Sequence, residues 1–290
     1  MLSGAITALV TPFRGGEVDL PALERLVRWQ IDNGIDGLLA CGCTGEAATL
    51  TDGEREDVVS AVMEAAGGRV PVMAGTGTNS TATTVELTRR ISGMGVDAVL
   101  LITPYYNKPT HRGQMEHFRQ AADASECPVY LYNVPGRTGK AIEARTVAEL
   151  ARHPNIAGIK DAQGSVERVT ELRTLCGEGF DILSGDDPLA MAQAALGAEG
   201  VVSVISNIAP GEMSRMMKLA RGGELEAARR LQARLLPVIR AMFLQTNPMP
   251  VKKALWMKGM IADELRLPLV SMRQDLEPKL RGVLEEAGLL

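Results

Sequence analysis

The chain has few of the residues from which metal sites and disulfide frameworks are built, with four cysteines and three histidines in 290 residues. Cys41, Cys43, Cys127 and Cys176 lie in or near apolar patterns, which favours reduced thiols and a cytoplasmic location. No second cysteine pair follows Cys41 and Cys43, and no histidine has ligand spacing with them. We therefore predict neither a disulfide nor a metal site.

The chain also lacks the segments typical of membrane and nucleic-acid partners. No apolar run approaches the length of a membrane span, and the N-terminal apolar segment has no basic region before it and is cut by Pro12. The formal net charge of -4 is spread over both signs, without a basic run. We predict no membrane and no nucleic-acid partner, which leaves small molecules as the expected ligands.

What the chain does contain is a regular alternation of short apolar runs and segments of helical periodicity. Ser80 or Thr81 can cap the third of these helices, and the fourth is predicted from Gln114 to Ser125. Eight βα units in succession predict an α/β fold, a closed (β/α)8 TIM barrel, which suits a chain of this length. The eight apolar runs are GAITALVTP, GIDGLLACG, RVPVMAGTG, VDAVLLITP, CPVYLYNVP, IAGIKDA, FDILSGDD and GVVSVIS.

The alternative α/β arrangement is an open doubly wound sheet. Its phosphate loop would be Gly75-Thr76-Gly77, but the third glycine of that motif is missing. The barrel accounts for residues 1–223, and residues 224–290 are helical in pattern beyond what the eighth unit needs. We predict a catalytic barrel over 1–223 and a C-terminal helical extension over 224–290.

Polar residues gather where the predicted strands end. In a TIM barrel the C-terminal ends of the strands surround one pocket, however far apart they lie in sequence. The chain has only four tyrosines, and Tyr105, Tyr106 and Tyr132 all fall at this rim. Lys160 lies on the sixth predicted strand, in the run NIAGIKDA. The sequence therefore predicts an active site built around these residues.

Lys160 is the residue whose position most needs an explanation, because a buried strand is a poor place for an ammonium group. Keeping a lysine neutral at pH 7 costs roughly 4.6 kcal/mol, whereas burial can lower its pKa by about 3 to 5 units. A neutral amine attacks carbonyl carbons and forms a Schiff base. The competing interpretation is a structural lysine paired with Asp161 or Asp186, although strand alternation turns Asp161 to the opposite face.

Six motifs along the chain together resemble the dihydrodipicolinate synthase family, part of the pyruvate-dependent class I aldolase superfamily that includes sialic acid lyases. The resemblance covers essentially the whole length, with the motifs in the family's order and spacing. It implies a lyase that condenses pyruvate with L-aspartate 4-semialdehyde to 4-hydroxy-tetrahydrodipicolinate, for lysine and diaminopimelate biosynthesis. It implies no metal or organic cofactor, and a homotetramer built as a dimer of dimers. The motifs are GCTGEAATL, AGTGTNST, TPYYNKPT, YNVPGRTG, GIKDAQG and LSGDD.

The resemblance also implies catalytic roles. Lys160 would form the Schiff base, and Tyr132 would donate and accept protons. Tyr106 would be a relay tyrosine that, in the family's tight dimer, reaches into the neighbouring subunit's site. The family usually has two threonines in its first motif, the first of which passes protons between the tyrosines. This chain has Cys43-Thr44 there, which leaves open whether Cys43 takes part in the relay.

For substrate binding, the resemblance implies that Thr44 holds the pyruvate carboxylate with help from the backbone at Gly45 and Val202. Gly185 belongs to the same substrate-binding set. Arg137 would bind the carboxylate of aspartate semialdehyde, because a guanidinium fork suits a carboxylate better than a neutral polyol. Sialic acid lyases lack an arginine there, so Arg137 favours the synthase.

Two alternatives to this function stay open. Another lyase of the superfamily, acting on a sugar-acid or hydroxy-acid aldehyde, would share Lys160 and Tyr132 and differ at the position of Arg137. A binding barrel without catalysis would leave the buried lysine and the clustered tyrosines unexplained. We assign no chemistry to Glu46, Asp186 and Asp187, which we expect to fix the backbone at the rim.

Feedback regulation is where the chain departs furthest from the family. Lysine-inhibited members bind lysine at the dimer interface, and Asn79 and Tyr105 match residues of that site. The positions of its serine, two histidines and glutamate hold other residues here. We therefore predict weak or absent inhibition by lysine. The four differing positions are Ala47, Asp52, Arg55 and Thr83.

Overall fold

A computed structural model of the chain describes residues 2–290. Its centre is a closed barrel of eight parallel strands, which confirms the predicted TIM barrel and makes the open doubly wound sheet wrong. The strands are short and apolar because helices cover the outer face and side chains fill the inner one. They are β1 Gly4–Ala8, β4 Gly37–Ala40, β5 Val72–Gly75, β6 Ala98–Ile102, β7 Val129–Asn133, β8 Ile156–Asp161, β9 Asp181–Ser184 and β10 Gly200–Ser203.

The barrel strands pair in chain order, and β10 closes the barrel by pairing with β1. Two short strands after β1, β2 (Phe13–Arg14) and β3 (Glu17–Val18), form a hairpin that the sequence pattern does not predict. The register of β7 and β8 is irregular, because Val129 pairs with Ile156 whereas Tyr130 pairs with Gly158. This bulge leaves one extra residue on β8 ahead of Lys160.

Helices surround the barrel and connect its strands, as the predicted βα units require. A short helix after β7 was not part of the predicted pattern. The helices up to the end of the eighth unit are α1 Leu20–Asp32, α2 Asp52–Ala66, α3 Thr81–Ser92, α4 His111–Asp123, α5 Pro135–Thr138, α6 Ala144–Leu150, α7 Glu167–Cys176, α8 Ala190–Ala195 and α9 Pro210–Arg221. Short 3-10 turns lie at Ala47–Thr49, Ile205–Asn207 and Gln274–Leu276.

Side-chain caps decide where two of these helices begin. The Ser80 hydroxyl accepts a hydrogen bond from the Thr83 backbone N–H at 3.3 Å, so Ser80 and not Thr81 caps α3. Helix α4 begins before the predicted Gln114, because the Thr110 hydroxyl accepts from the Gly113 backbone N–H at 3.3 Å. A hydroxyl acceptor satisfies one of the free N–H groups at a helix start.

The segment after α9 consists of three further helices, α10 Leu225–Ala241, α11 Met249–Met257 and α12 Glu277–Glu286. Helix α10 packs against α9, and α12 packs against α10 and α11. The predicted helical extension is therefore present, while its boundary at residues 223 and 224 stays a prediction. Within residues 2–290, no helix has the length and apolar character needed to span a membrane.

Candidate active site

A cavity of about 240 Å³ opens where the barrel strands end, and several predicted site residues line it. Cys43 enters from the loop after β4, Tyr105 from the loop after β6, Tyr132 from β7 and Arg137 from α5. The C-terminal extension supplies one part of the wall, with Thr246, Asn247, Pro268 and Leu269.

Lys160 lies on β8 beside Tyr132 of β7, since the two residues are register partners. Its Nζ atom is 4.1 Å from the centroid of the Tyr132 ring, and the residue is only 5% exposed. Within residues 2–290, Lys160 makes no ion pair with a carboxylate. Asp161 points to the other face of β8, where its Oδ2 accepts from Asn133 at 2.8 Å and faces Arg168 at 3.4 Å. The structural alternative of a lysine paired with Asp161 or Asp186 is therefore wrong.

Burial is the main cause of an altered pKa at this amine. It lowers the pKa of Lys160 from 10.5 to about 8, while the charges of Cys43 and Asp187 oppose the shift and that of Arg137 favours it. Roughly one in ten amines with such a pKa is neutral at pH 7, compared with roughly one in 2,500 for an ordinary lysine. The barrel therefore converts this ammonium into an available nucleophile.

Tyr132 and Cys43 are neighbours in the wall of the cavity. Burial raises the pKa of Tyr132 well above its ordinary value, the adjacent Cys43 thiol adds to the rise, and the charge of Arg137 opposes it. The phenol is therefore protonated at neutral pH and can donate a proton to an oxygen bound next to Lys160. The thiol of Cys43 therefore lies beside Tyr132, the candidate proton donor. Cys43 stands at the position where the resemblance leads us to expect a hydroxyl.

The turn that carries Thr44 and Gly45 is held by the C-terminal extension. Thr44 is buried, and its Oγ1 accepts a hydrogen bond from Asn247 Nδ2 at 3.0 Å. The Gly45 N–H donates to the Gly42 carbonyl at 3.1 Å within the turn. A Cβ at Gly45 would lie 3.1 Å from the Leu9 carbonyl oxygen, so a larger residue would push the turn away.

The remaining predicted binding residues surround this centre. Arg137 lies at the exposed rim, where its Nη2 donates to the Asn247 carbonyl at 3.2 Å. Gly185 follows β9, and a Cβ there would lie 3.1 Å from Lys160 Cε, so glycine leaves room for the lysine. Val202 is buried on β10, in the apolar cluster inside the barrel that also contains Tyr132.

Of the four predicted catalytic residues, Cys43 and Tyr132 line the cavity, and Lys160 adjoins it through its contact with the Tyr132 ring. Tyr106 lies away from the cavity of its own chain. It is 90% exposed and has a left-handed backbone, with φ of 70°. Its neighbour Tyr105 lines the cavity instead. Among residues 2–290, no three His, Cys, Asp or Glu side chains come together in a way that could hold a metal ion.

Comparison with known proteins places this barrel and its cavity in a family. The Dihydrodipicolinate synthetase family model matches residues 1–287. A 4-hydroxy-tetrahydrodipicolinate synthase of Pelobacter propionicus is 48% identical over 290 residues, which is 100% of both chains. The chloride-inhibited dihydrodipicolinate synthase of Acinetobacter baumannii, solved with pyruvate, has a TM-score of 0.98 at 42% identity and covers 100% of both chains. A monomeric dihydrodipicolinate synthase variant has a TM-score of 0.97 at 41% identity, over 100% of this chain and 98% of its own.

The chain belongs to the dihydrodipicolinate synthetase family. Membership confirms the predicted resemblance and the prediction of an enzyme of the class I aldolase type. It does not favour the sugar-acid lyase or the barrel without catalysis. The roles predicted for individual side chains stay predictions.

Sequence reasoning missed the contribution of the C-terminal extension to this candidate site. Asn247 links Thr44 to Arg137, and Lys252 forms a buried ion pair with Glu46 in the same turn. The expected backbone role of the acidic residues is confirmed for Asp187, whose Oδ2 accepts from two backbone N–H groups after β10. The available signal was the run NPMPVKKALW, in which two lysines interrupt an apolar helix just as Lys160 interrupts an apolar strand.

Proposed function

We propose that this chain condenses pyruvate with L-aspartate 4-semialdehyde through an enamine on Lys160, forming 4-hydroxy-tetrahydrodipicolinate for lysine and diaminopimelate biosynthesis. The observation that carries the proposal is a deeply buried lysine with no carboxylate partner, lying 4.1 Å from the Tyr132 ring centroid at the end of the barrel. A desolvated amine beside a protonated phenol is suited to forming an imine from a ketone.

In the proposed reaction, the neutral amine of Lys160 attacks the ketone carbon of pyruvate. The resulting carbinolamine accepts a proton from Tyr132 and loses water, which gives the imine. Loss of a proton from the methyl carbon converts the imine into an enamine, whose carbon attacks the aldehyde of the second substrate. The amino group of that substrate then attacks the imine carbon, which closes the ring and releases Lys160.

The proposed binding roles follow from the hydrogen-bonding groups near Lys160 and the positive charge of Arg137 at the rim. Thr44, with the backbone at Gly45 and Val202 and the space at Gly185, receives pyruvate next to Lys160. Arg137 lies at the rim with its guanidinium exposed, where it meets the carboxylate of aspartate semialdehyde. The reaction in this proposal needs no metal or organic cofactor, because the imine itself stabilises the carbanion.

Two further parts of the proposal concern assembly and location. Tyr106 is 90% exposed on its own chain, which supports a relay role in the cavity of a neighbouring subunit, within a homotetramer of two tight dimers. Sedimentation velocity tests this assembly, and a monomer with full activity would contradict it. All four cysteines are free thiols, Cys43 among them in the cavity wall, which supports a reducing cytoplasmic location.

Borohydride trapping tests the central step. Reduction in the presence of pyruvate should attach one adduct to the peptide that contains Lys160, as read by mass spectrometry. Lys160→Ala should form no adduct. An adduct on another lysine, or one that persists in Lys160→Ala, would contradict the mechanism.

The role of Arg137 is tested by separating its effect on the two substrates. Arg137→Ala should lower kcat/KM for aspartate semialdehyde by about ten- to a hundredfold, because one charge-assisted interaction is worth roughly 1.5 to 3 kcal/mol. Trapping of pyruvate on Lys160 should change far less. Arg145→Ala, which removes an exposed arginine from α6, is the matched control. Equal losses in trapping and condensation would point to a structural role for Arg137.

A further inference from the structure

A fully buried ion pair lies directly behind the turn that carries Thr44. Lys252 of α11 places its Nζ 2.6 Å from Glu46 Oε1, and the two side chains are 0% and 1% exposed. The same Nζ donates to the Thr11 carbonyl at 2.9 Å and lies 4.4 Å from the centroid of the Phe13 ring. The amine of Lys252 therefore contacts a carboxylate, a carbonyl and an aromatic ring, whereas Lys160 makes no ion pair.

The other end of this pair controls the backbone of the turn. Glu46 has a left-handed conformation with φ of 52°, which a residue with a side chain rarely adopts without support. Its second carboxylate oxygen accepts from the Arg266 backbone N–H at 3.1 Å. Glu46 also lines the cavity, so it lies between the substrate space and the extension.

The extension also holds the same turn at a second point. Asn247, in the segment just before α11, donates to the Thr44 hydroxyl at 3.0 Å. The two contacts fix two nearby positions of the turn through one stretch of chain. If the charge of Glu46 lost its partner, the carboxylate would move toward water, and the backbone that carries Thr44 and Gly45 would move with it.

We infer that the Glu46–Lys252 ion pair is a positioning device for the pyruvate-carboxylate end of the site, so that the C-terminal extension completes that end. The inference rests on the proposed role of Thr44 and Gly45 in holding that carboxylate. Neither partner of the pair needs to touch substrate. Breaking the pair should weaken pyruvate binding and leave the reactivity of Lys160 intact once pyruvate is saturating.

Lys253 provides a matched control on the same helix. Its Nζ pairs with Asp263 and, at 2.8 Å, with Glu277, and its side chain is 4% exposed. These partners belong to the extension itself and do not touch the Thr44 turn. Lys252→Met and Lys253→Met each remove one buried ammonium from α11 and leave carboxylates without it, so both should lose stability.

The experiment measures borohydride trapping at Lys160 against pyruvate concentration. The half-saturating pyruvate concentration should rise by about tenfold or more in Lys252→Met, as expected when a hydrogen bond to a charged group is misplaced. It should rise less than about twofold in Lys253→Met. At saturating pyruvate both variants should trap the full stoichiometry at Lys160.

The double variant Glu46→Gln with Lys252→Met keeps the test decisive if the single variant does not fold. It removes both charges, so no unpaired charge stays buried, and it should recover stability while the rise in half-saturating pyruvate persists. An unchanged pyruvate dependence in the folded double variant, or equal shifts in the two single lysine variants, would overturn the inference. Absence of trapping at Lys160 in the unaltered protein would instead overturn the proposed function.

Discussion

At the scale of single residues, two buried lysines show how a neighbouring charge decides what a lysine does. Lys160 has an aromatic face and no carboxylate partner, so burial lowers its pKa to about 8. Burial also lowers the pKa of Lys252, but the charge of Glu46 opposes this shift and holds the ammonium in an ion pair. Burial alone makes a reactive amine, whereas burial with a partner makes a structural cation.

The pKa of Lys160 predicts the pH dependence of imine formation. Because only the neutral amine attacks pyruvate, the rate should rise with pH, reach half of its maximum near pH 8 and level off above that. The same depressed pKa means that the unfolded chain holds this proton more tightly, so Lys160 makes folding stability increase as pH rises from about 8 toward 10.5. Rapid-quench trapping on both sides of pH 8 measures the midpoint of imine formation, and a midpoint near 10 would contradict the prediction.

Arg137 contributes to the lowered pKa of Lys160, so a change at Arg137 tests the explanation given for that pKa. Its positive charge disfavours the ammonium form, so Arg137→Ala should move the midpoint of imine formation to higher pH. Arg145→Ala should leave the midpoint where it is.

Cys43 gives a second prediction at this scale. A thiol is a weaker and longer hydrogen-bonding group than a hydroxyl, so Cys43→Thr should keep or raise turnover. Cys43→Val matches threonine in shape without its hydroxyl and should turn over more slowly than Cys43→Thr. The measurement is steady-state kcat at saturating substrates. A severe loss in Cys43→Thr with the fold intact would mean that the site is organised around the thiol.

At the scale of elements, β8 has to turn Lys160 inward after the bulge beside β7. Gly158 pairs with Tyr130 and lies inside the barrel, two residues before Lys160. A Cβ on Gly158 would lie 2.6 Å from both the Asp181 carbonyl oxygen and Tyr130 Cε1. The close approach of β7, β8 and β9 therefore depends on glycine at this position.

Two glycine substitutions, expected to change the free energy of unfolding in opposite directions, test this packing. Gly158→Ala should lower the free energy of unfolding by about 1 to 3 kcal/mol, because the added methyl meets backbone that cannot move freely. Gly53→Ala is the matched control, since Gly53 lies in α2 with no heavy atom within 4 Å of its added Cβ. That change should raise stability by about 0.4 to 1 kcal/mol. Urea unfolding of both variants decides it, and an unaffected Gly158→Ala would show that the barrel accommodates the methyl.

At the scale of the whole molecule, the question is whether lysine regulates the enzyme. The structure shows how the differing residues are engaged on this chain. Arg55 Nη2 donates to the Ala47 carbonyl at 2.6 Å, and Asp52 lies 3.5 Å from Arg90. A guanidinium therefore occupies one histidine position, and the carboxylate at the other already has a cation nearby.

These contacts support the prediction of weak or absent lysine inhibition. A cationic amino acid meets Arg55 and finds Thr83 where a carboxylate partner is expected, so it should lose several kcal/mol of affinity. Activity at low pyruvate should stay nearly constant as L-lysine is added, with L-arginine as a control for ionic strength. Half-inhibition below about 1 mM, where binding is worth roughly 4 kcal/mol, would contradict this.

Much of the fold and part of the site follow from local patterns along the chain. The eight βα units and the place of Lys160 on a buried strand are visible because hydrophobic periodicity encodes which face of an element is covered. The position of the site at the C-terminal ends of the strands can be predicted once the barrel is recognised, since all of its parallel strands end on the same side. The alternation that separates Lys160 from Asp161 also holds, because both residues lie after the bulge.

Tertiary structure alone decided which distant side chains complete the site. Asn247 and Thr44 are 203 positions apart in sequence, and Lys252 and Glu46 are 206 apart. A periodic sequence pattern does not predict which residue pairs with a buried charge, because that partner depends on how the extension packs onto the barrel. Tyr106 illustrates the same limit, since its motif predicts a catalytic role while the fold of its own chain leaves it 90% exposed. Local sequence determines which face of each element is buried, and the meeting of elements far apart in the chain determines what each buried polar group contacts.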